Sequence, residues 1–293
     1  MKHIDLSKKA WQWATLIFLS FIWGSSFILM KKGLESYSNI QVAAFRILFA
    51  SLVLLPFSLK NLKKIHKKNL FPLLVVGFIG SAIPTAFFTT AQMHITSSLA
   101  GMLNSLTPFF TLVVGMTVYR TRFKSHNMLG IFLGLIGALV LLGINPVNVV
   151  YSINHYALLV VAATLCYGIN TNEVKNRLPG MTSLEITSLA FLFIGPVALI
   201  FLLFSDFSSA LATSDYGLNL FYLFLLASLG TAYALWVFNT LIQHTTSVFA
   251  ASVTYIIPVF AILWGIFDGE LVQPGQYLGI SAILFGVYLV NKK

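Results

Sequence analysis

Polar and aromatic side chains recur at helical spacing inside long apolar stretches of this sequence, and together they could bind a small polar solute. Thr85 and Thr89 are four residues apart and would share one face of a helix. Tyr167 and Asn170 would share a face in the same way. Convergence of such side chains in an apolar interior is typical of a binding cavity. The sequence predicts a substrate-binding set of ten residues: Trp23, Arg46, Thr85, Thr89, Asn104, Tyr167, Asn170, Tyr233, Trp236 and Thr254.

Two prolines lie close to members of this set, Pro108 after Asn104 and Pro258 after Thr254. A proline within a helix removes a backbone hydrogen bond about one turn earlier, so a carbonyl becomes available to a ligand or to a neighbouring helix. The alternative interpretation is structural, because hydroxyl-bearing and small residues also let membrane helices approach closely. The sequence leaves both interpretations open.

Arg46 lies about two turns into an apolar stretch, with no acidic residue expected at the same depth. A charge within a membrane span costs a few kcal/mol on insertion scales, which makes its presence informative. One interpretation is that Arg46 attracts an anionic group such as a substrate carboxylate. The other is that its guanidinium binds carbonyl groups at a helix end or extends toward the membrane surface.

Residue sets typical of enzymes are missing from the apolar stretches. We find no Ser/His/Asp set, no metal-ligand spacing and no phosphate-binding loop, so we expect neither catalysis nor a cofactor or metal ion. An integral-membrane enzyme that acts on lipid is a weaker alternative, since its acids or histidines would have to converge at one interface. A scaffold or sensor is another, although it would need no polar residues in mid-helix.

Composition identifies the solvent of these stretches as lipid. Hydrophobic residues form 58% of the 293 residues and charged residues only 9%, which is too few to give a soluble protein a charged surface. The formal charge of +10 comes from basic residues spread over short hydrophilic breaks, so nucleic acid is not an expected partner. The expected partners are the lipid bilayer and a small-molecule solute; the oligomeric state is open, and a monomer is plausible.

Ten apolar stretches are long enough, or nearly so, to cross a bilayer as helices, because about 20 residues span a core of about 30 Å. The predicted spans are Trp11–Met30, Ile40–Leu59, Leu70–Gln92, Ser98–Tyr119, Asn127–Gly143, His155–Val174, Ser183–Phe204, Gly217–Ile242, Ser247–Phe267 and Gln276–Val290. The fifth and the tenth are short. With the N-terminus in the cytoplasm, fifteen of the 18 Lys and Arg residues fall on the cytoplasmic side and two on the other. The positive-inside rule therefore predicts that both termini are cytoplasmic, in a plasma (inner) membrane.

An internal repeat relates the two halves of the chain. At an offset of 150 residues, His94 matches His244, Pro108 matches Pro258 and glycines match at several positions, among them Gly80. Each half would then hold five spans, 11–143 and 155–290. Since five is odd, the second half would enter the membrane from the opposite side. The predicted fold is an all-α integral membrane protein of ten transmembrane helices in two inverted five-helix repeats, a construction typical of secondary transporters.

Motifs in both halves resemble those of the EamA-type ten-helix members of the drug/metabolite transporter superfamily. They are Phe21-Ile22-Trp23-Gly24-Ser25-Ser26-Phe27, Phe45-Arg46-Ile47-Leu48, Thr96-Ser97-Ser98-Leu99-Ala100 with Pro108, Thr246-Ser247-Val248-Phe249-Ala250 with Pro258, and Gly269-Glu270. Where the family pattern often has a Glu after the fourth helix, this chain has Arg120 nearby. The resemblance implies a carrier for a small polar metabolite, amino-acid-like and exported. Drug-like and nucleotide or sugar compounds are the alternative solutes.

Overall fold

The structure is a computed structural model that describes residues 6–121, 125–141 and 155–269, with single helical positions at 278, 281, 282, 285, 286 and 289. Every regular element within these residues is helical, and none is a strand. The all-α prediction is therefore confirmed for the described part of the chain. In lipid this outcome has a simple cause, since a continuous apolar run can satisfy its backbone hydrogen bonds only within its own helix.

Nine long helices, numbered α1 to α9, make up most of the described residues. Their bounds are α1 Lys9–Leu34, α2 Asn39–Lys64, α3 Lys67–Gln92, α4 Ser97–Thr117, α5 Ser125–Leu141, α6 His155–Arg177, α7 Ser183–Leu203, α8 Tyr216–His244 and α9 Ser247–Phe267. All but α5 are long and apolar enough to cross a membrane. Many large apolar side chains on their outer faces are exposed, Phe18 and Phe221 among them, as expected where the surroundings are lipid.

Hydroxyl-bearing residues begin four of these helices by accepting a hydrogen bond from an otherwise unpaired backbone N–H. Ser38 accepts from Gln41 at the start of α2, and Thr182 begins α7 in the same way. Thr96 and Thr246, the first residues of two repeated motifs, begin α4 and α9. The repeated Thr-Ser pairs thus mark helix starts that follow a tight connection.

Three sets of helix contacts dominate the interior. Helix α2 packs along α7, α1 packs against α8 and α9, and α6 packs against α3 and α4. Glycines allow two of these helix pairs to touch at the backbone. A Cβ added at Gly24 of α1 would meet Phe260 and the Ile257 carbonyl of α9, and one at Gly168 of α6 would meet the backbone of Phe110 and Thr111 in α4.

The fifth and tenth predicted spans, both named as short, are the two that are not among the long membrane-crossing helices of the described residues. Helix α5 has 17 residues and is shorter than the other long helices. The predicted tenth span, Gln276–Val290, lies mostly outside the described residues. Gly286, one of the described positions there, lies directly against the backbone of Gly130 and Gly134 in α5.

Candidate functional site

A cavity of about 90 Å³ lies among seven of the described helices, α1, α2, α3, α4, α6, α8 and α9. This is room for several water molecules or a small solute. Its walls combine aromatic rings with hydroxyl and amide groups. The lining residues are Trp23, Ser26, Phe27, Met30, Arg46, Gly80, Ser81, Thr85, Phe88, Asn104, Thr107, Tyr167, Asn170, Thr171, Gly230, Thr231, Leu235, Phe238 and Thr254.

Segments of π-helix in α3 and α8 place backbone and hydroxyl groups at the cavity wall. The first is Val75–Ala82 and the second is Ser228–Tyr233. A π-helical turn holds more residues than an α-helical turn, so it rotates the side chains on either side of it, and such turns are frequent at functional sites. The glycines in these segments allow close approach. Gly80 lies against the Asn170 side chain and Gly230 against the Ser26 side chain.

Aromatic side chains form two similar walls. The indole Nε1 of Trp23 donates to the carbonyl oxygen of Gly230 at 2.9 Å, and its ring meets Phe238 edge-on at a centroid distance of 5.0 Å. Tyr167 stacks on Phe88 with ring centroids 6.0 Å apart. These contacts hold the rings in place and leave their faces available to the apolar part of a solute.

Arg46 supplies the positive charge of the cavity. Its side chain is buried, with 9% of the residue exposed, and Nε donates to the hydroxyl of Thr231 at 2.8 Å. The partner is thus a hydroxyl in α8, whereas the structural interpretation expected carbonyl groups at a helix end. The guanidinium also lies at the cavity and does not extend toward the membrane surface.

Short breaks in α4 and α9 position the remaining polar groups. Helix α4 passes through a 3-10 turn at Asn104–Leu106, where the Thr107 hydroxyl donates to the Asn104 carbonyl at 2.8 Å. Ser105 donates to the Thr254 carbonyl at 3.0 Å and so joins α4 to α9 beside the cavity. Both breaks come a few residues before a proline.

Seven of the ten predicted site residues line the cavity, namely Trp23, Arg46, Thr85, Asn104, Tyr167, Asn170 and Thr254. The other three do not. Thr89 is fully buried and donates to the Ala86 carbonyl. Tyr233 and Trp236 are 39% and 40% exposed, while Thr231, Leu235 and Phe238 of the same helix line the cavity. A binding role for these three side chains stays a prediction.

Five further polar residues line the cavity without having been predicted: Ser26, Ser81, Thr107, Thr171 and Thr231. The repeat contained a signal for two of them. Gly80 and Gly230 match at the offset of 150, and each is followed directly by a hydroxyl-bearing residue.

The cavity is polar without being acidic. No Asp or Glu is among its described lining residues, and no group of His, Cys, Asp and Glu side chains in the described chain could hold a metal ion. The side-chain oxygen of Asn170 is buried and accepts no hydrogen bond there. That oxygen lies against Gly80, so the arrangement offers one cation and several hydroxyl groups to a bound molecule.

Comparison with known proteins identifies the family of this chain. The model of the EamA-like transporter family matches residues 11–143 and again residues 155–292. The chain belongs to the EamA-like transporter family. This confirms the resemblance read from the motifs of both halves.

The relatives of this EamA-like chain carry transporter names. An uncharacterized inner membrane transporter of Escherichia coli, YedA, is 26% identical over 94% of this chain and 89% of its own length. An uncharacterized transporter of Archaeoglobus fulgidus is 24% identical over 96% of this chain and 99% of its own length. A solved crystal structure with 14% identity superposes with a TM-score of 0.69 over 94% of this chain and 95% of the other, which shows that the fold is shared. Together with the apolar helices, these findings make the protein a membrane transporter of this family.

Proposed function

We propose that the protein is a secondary transporter that moves a small polar metabolite, amino-acid-like in character, out of the cell by alternating access. The observation that carries the proposal is the cavity lined by seven of the described helices, which contains both polar groups and a buried cation. Polar groups inside a membrane bundle are costly and are typical of a solute pathway. The solute class and the outward direction come from the family resemblance.

Reciprocal backbone contacts support two inverted repeats, 11–143 and 155–290, as the basis of the mechanism. Gly24 of α1 meets Phe260 of α9, and Gly168 of α6 meets Phe110 of α4. Phe110 and Phe260 match at the offset of 150, and Trp23-Gly24 aligns with Tyr167-Gly168 at the front of each half. The same relation links the packing of α1 on α8 to the packing of α6 on α3.

Side chains at the cavity are paired in the same reciprocal way. Trp23 meets Phe238, and its repeat counterpart Tyr167 meets Phe88. A near-twofold arrangement of this kind gives two related states of similar energy, in which the cavity opens to one side or to the other. Rocking of the two halves about the bound solute would carry it across the membrane.

Contacts at the helix ends support the proposed orientation, with both termini cytoplasmic in the inner membrane. Lys31 and Asp268, both expected outside, form an ion pair at 2.5 Å. Lys175, expected inside, donates to the carbonyls of Ile242 and Thr245, which are expected on the same side. Helix ends that the lysine and arginine distribution assigns to one side therefore meet each other. The YedA relative is named as an inner membrane transporter, which supports this location.

A flux measurement tests the proposal. With purified protein in sealed proteoliposomes, we expect at least one labelled amino acid or related small metabolite to equilibrate faster than in protein-free vesicles. Asn104→Ala should slow that flux roughly tenfold, since the cavity loses an amide able to hydrogen-bond the solute. Asn61→Ala, the same change at the end of α2 and away from the cavity, is the matched control and should leave the flux unchanged.

The proposal fails if no solute in a broad metabolite panel crosses faster than in protein-free vesicles. It also fails if Asn61→Ala slows the flux as much as Asn104→Ala at equal protein content, because the cavity would then have no special role.

A further inference from the structure

Arg46 has hydrogen-bonding capacity that the described protein does not use. Its Nε is bonded to Thr231, while its two terminal nitrogens make no hydrogen bond to any described residue. No carboxylate among the described residues forms an ion pair with it. A buried charge without a counter-charge is costly, so a ligand that supplies the missing charge would gain binding free energy here.

The orientation of the guanidinium matches one class of anion. A planar guanidinium with both terminal nitrogens free can bind the two oxygens of a carboxylate with parallel hydrogen bonds. Because Thr231 engages Nε, the free edge of the group is the one that carries the terminal nitrogens. The hydroxyl of Thr231 thereby acts as a positioning group for Arg46.

The remainder of the cavity limits the charge and the shape of the ligand. Arg46 is the only Lys or Arg among the described lining residues, which suits one negative charge better than two. Phe88, Phe238 and Trp23 offer apolar surface beside Arg46. A ligand with a carboxylate and a small apolar body would complement these groups.

We infer that the cavity takes a small carboxylate-bearing solute whose carboxylate binds the terminal nitrogens of Arg46 and whose apolar body packs against Phe88, Phe238 and Trp23. The inference rests on the proposed carrier function, and it specifies the solute class of that cavity. A solute's amide or amine analogue lacks the negative charge and leaves Arg46 unpaired, so the cavity discriminates against it.

Binding to wild-type protein in detergent tests the inference without any variant. The probes are matched pairs, isobutyrate with isobutyramide, 3-phenylpropionate with 3-phenylpropanamide and L-valine with L-valinamide, together with inorganic phosphate. We expect at least one carboxylate to bind in isothermal titration and its amide to bind roughly tenfold to a hundredfold more weakly. Binding by no carboxylate, equal binding of a carboxylate and its amide, or binding of phosphate alone would overturn the inference.

Variants then locate the site. Arg46→Gln should weaken carboxylate binding to the level of the amide, Arg46→Lys should retain part of it, and Thr231→Val should weaken it by misplacing the guanidinium. Arg120→Gln removes an exposed positive charge outside the cavity and should bind carboxylate as the wild type does. Wild-type affinity in a folded Arg46→Gln protein would contradict the assignment.

The two proposals can fail separately. If a carboxylate binds through Arg46 but never crosses a proteoliposome membrane, the carrier function is rejected and the binding site is retained. If a neutral solute is transported equally by wild type and Arg46→Gln, the carrier function is retained and the carboxylate site is rejected.

Discussion

At the scale of residues, two glycines allow helices to cross with their backbones in contact. Gly24 and Gly168 have no side chain to separate α1 from α9 or α6 from α4. Small residues at such crossings are favoured in membranes, because packing replaces the hydrophobic effect as the force that joins helices. These close crossings set the distances between the helices, and thereby the distances between the polar side chains that line the cavity.

Gly168→Ala should destabilise the folded protein. A Cβ at this position would lie 2.8 Å from the backbone of both Phe110 and Thr111, which cannot move aside as a flexible side chain would. We expect a loss of about 1–3 kcal/mol, measured as a lower thermal unfolding midpoint in detergent.

Gly217→Ala is the matched control for Gly168→Ala, since Gly217 lies in helix α8 with no neighbouring atom within 4 Å of an added Cβ. It should leave the midpoint unchanged or raise it slightly, because alanine favours the helix by up to about 1 kcal/mol. Equal effects of the two substitutions would show that the close crossing of α4 and α6 is unimportant for stability.

At the scale of elements, the π-helical turns in α3 and α8 lie at the cavity wall. In α8 the turn contains Thr231, which bonds Arg46, while Tyr233 and Trp236 are partly exposed. Thr231, Leu235 and Phe238 are spaced as on one face of an α-helix, and this face lines the cavity, whereas the prediction chose the face of Tyr233 and Trp236. The same kind of turn in α3 brings Gly80 to the cavity wall beside Asn170.

The ends of α1 and α9 are joined by an ion pair whose strength depends on pH. The hydrogen bond from Lys31 lowers the pKa of the Asp268 carboxyl, with the charges of Lys31 and Lys32 acting in the same direction and partial burial opposing them. Because the pKa is lower in the folded than in the unfolded protein, the pair stabilises the fold above about pH 4. This contribution is lost as the pH falls through the folded-state value.

Asp268→Asn should therefore lower the unfolding midpoint at pH 7, and this effect should shrink as the pH falls below about 4. We expect a difference of at most about 1 kcal/mol, since the pair is partly exposed and screened by solvent. Asp215→Asn, which alters an acidic residue without an ion pair among the described residues, serves as the comparison. A destabilisation by Asp268→Asn that is constant from pH 7 to pH 3 would exclude the ion pair as its cause.

At the scale of the whole molecule, the proposed mechanism requires the two halves to cross the membrane in opposite directions. The connection near residue 148, outside the described residues, would then lie on the outer side together with the exposed Ser214. The end of α2, which carries Lys63, would lie in the cytoplasm. Contacts such as that between Lys31 and Asp268 fit this arrangement.

Cysteine labelling tests this topology. In a Cys166→Ser background, which removes the single cysteine, Asn148→Cys and Ser214→Cys should react with a membrane-impermeant maleimide in intact cells. Lys63→Cys should react only after permeabilisation. If position 148 reacts only after permeabilisation, the inverted repeat is rejected, and the alternating-access mechanism is rejected with it.

Much of the fold and part of the site could be predicted from the sequence. Eight of the ten predicted spans correspond to long apolar helices within a few residues at each end, because the length of an apolar run reflects the thickness of the lipid core. Seven of the ten predicted site residues line the cavity. The partner of Arg46 was not predictable, since Thr231 is 185 positions away and their contact depends on how α2 and α8 pack.

The sequence by itself determined that the surroundings of the chain are lipid and that its secondary structure is helical. With 58% hydrophobic residues, the long apolar runs can satisfy their backbone groups in lipid only as helices. The tertiary structure alone decided which face of each helix meets the cavity. The close approach at Gly24 and Gly168 arises from packing between distant segments, and no spacing rule within one segment contains that information.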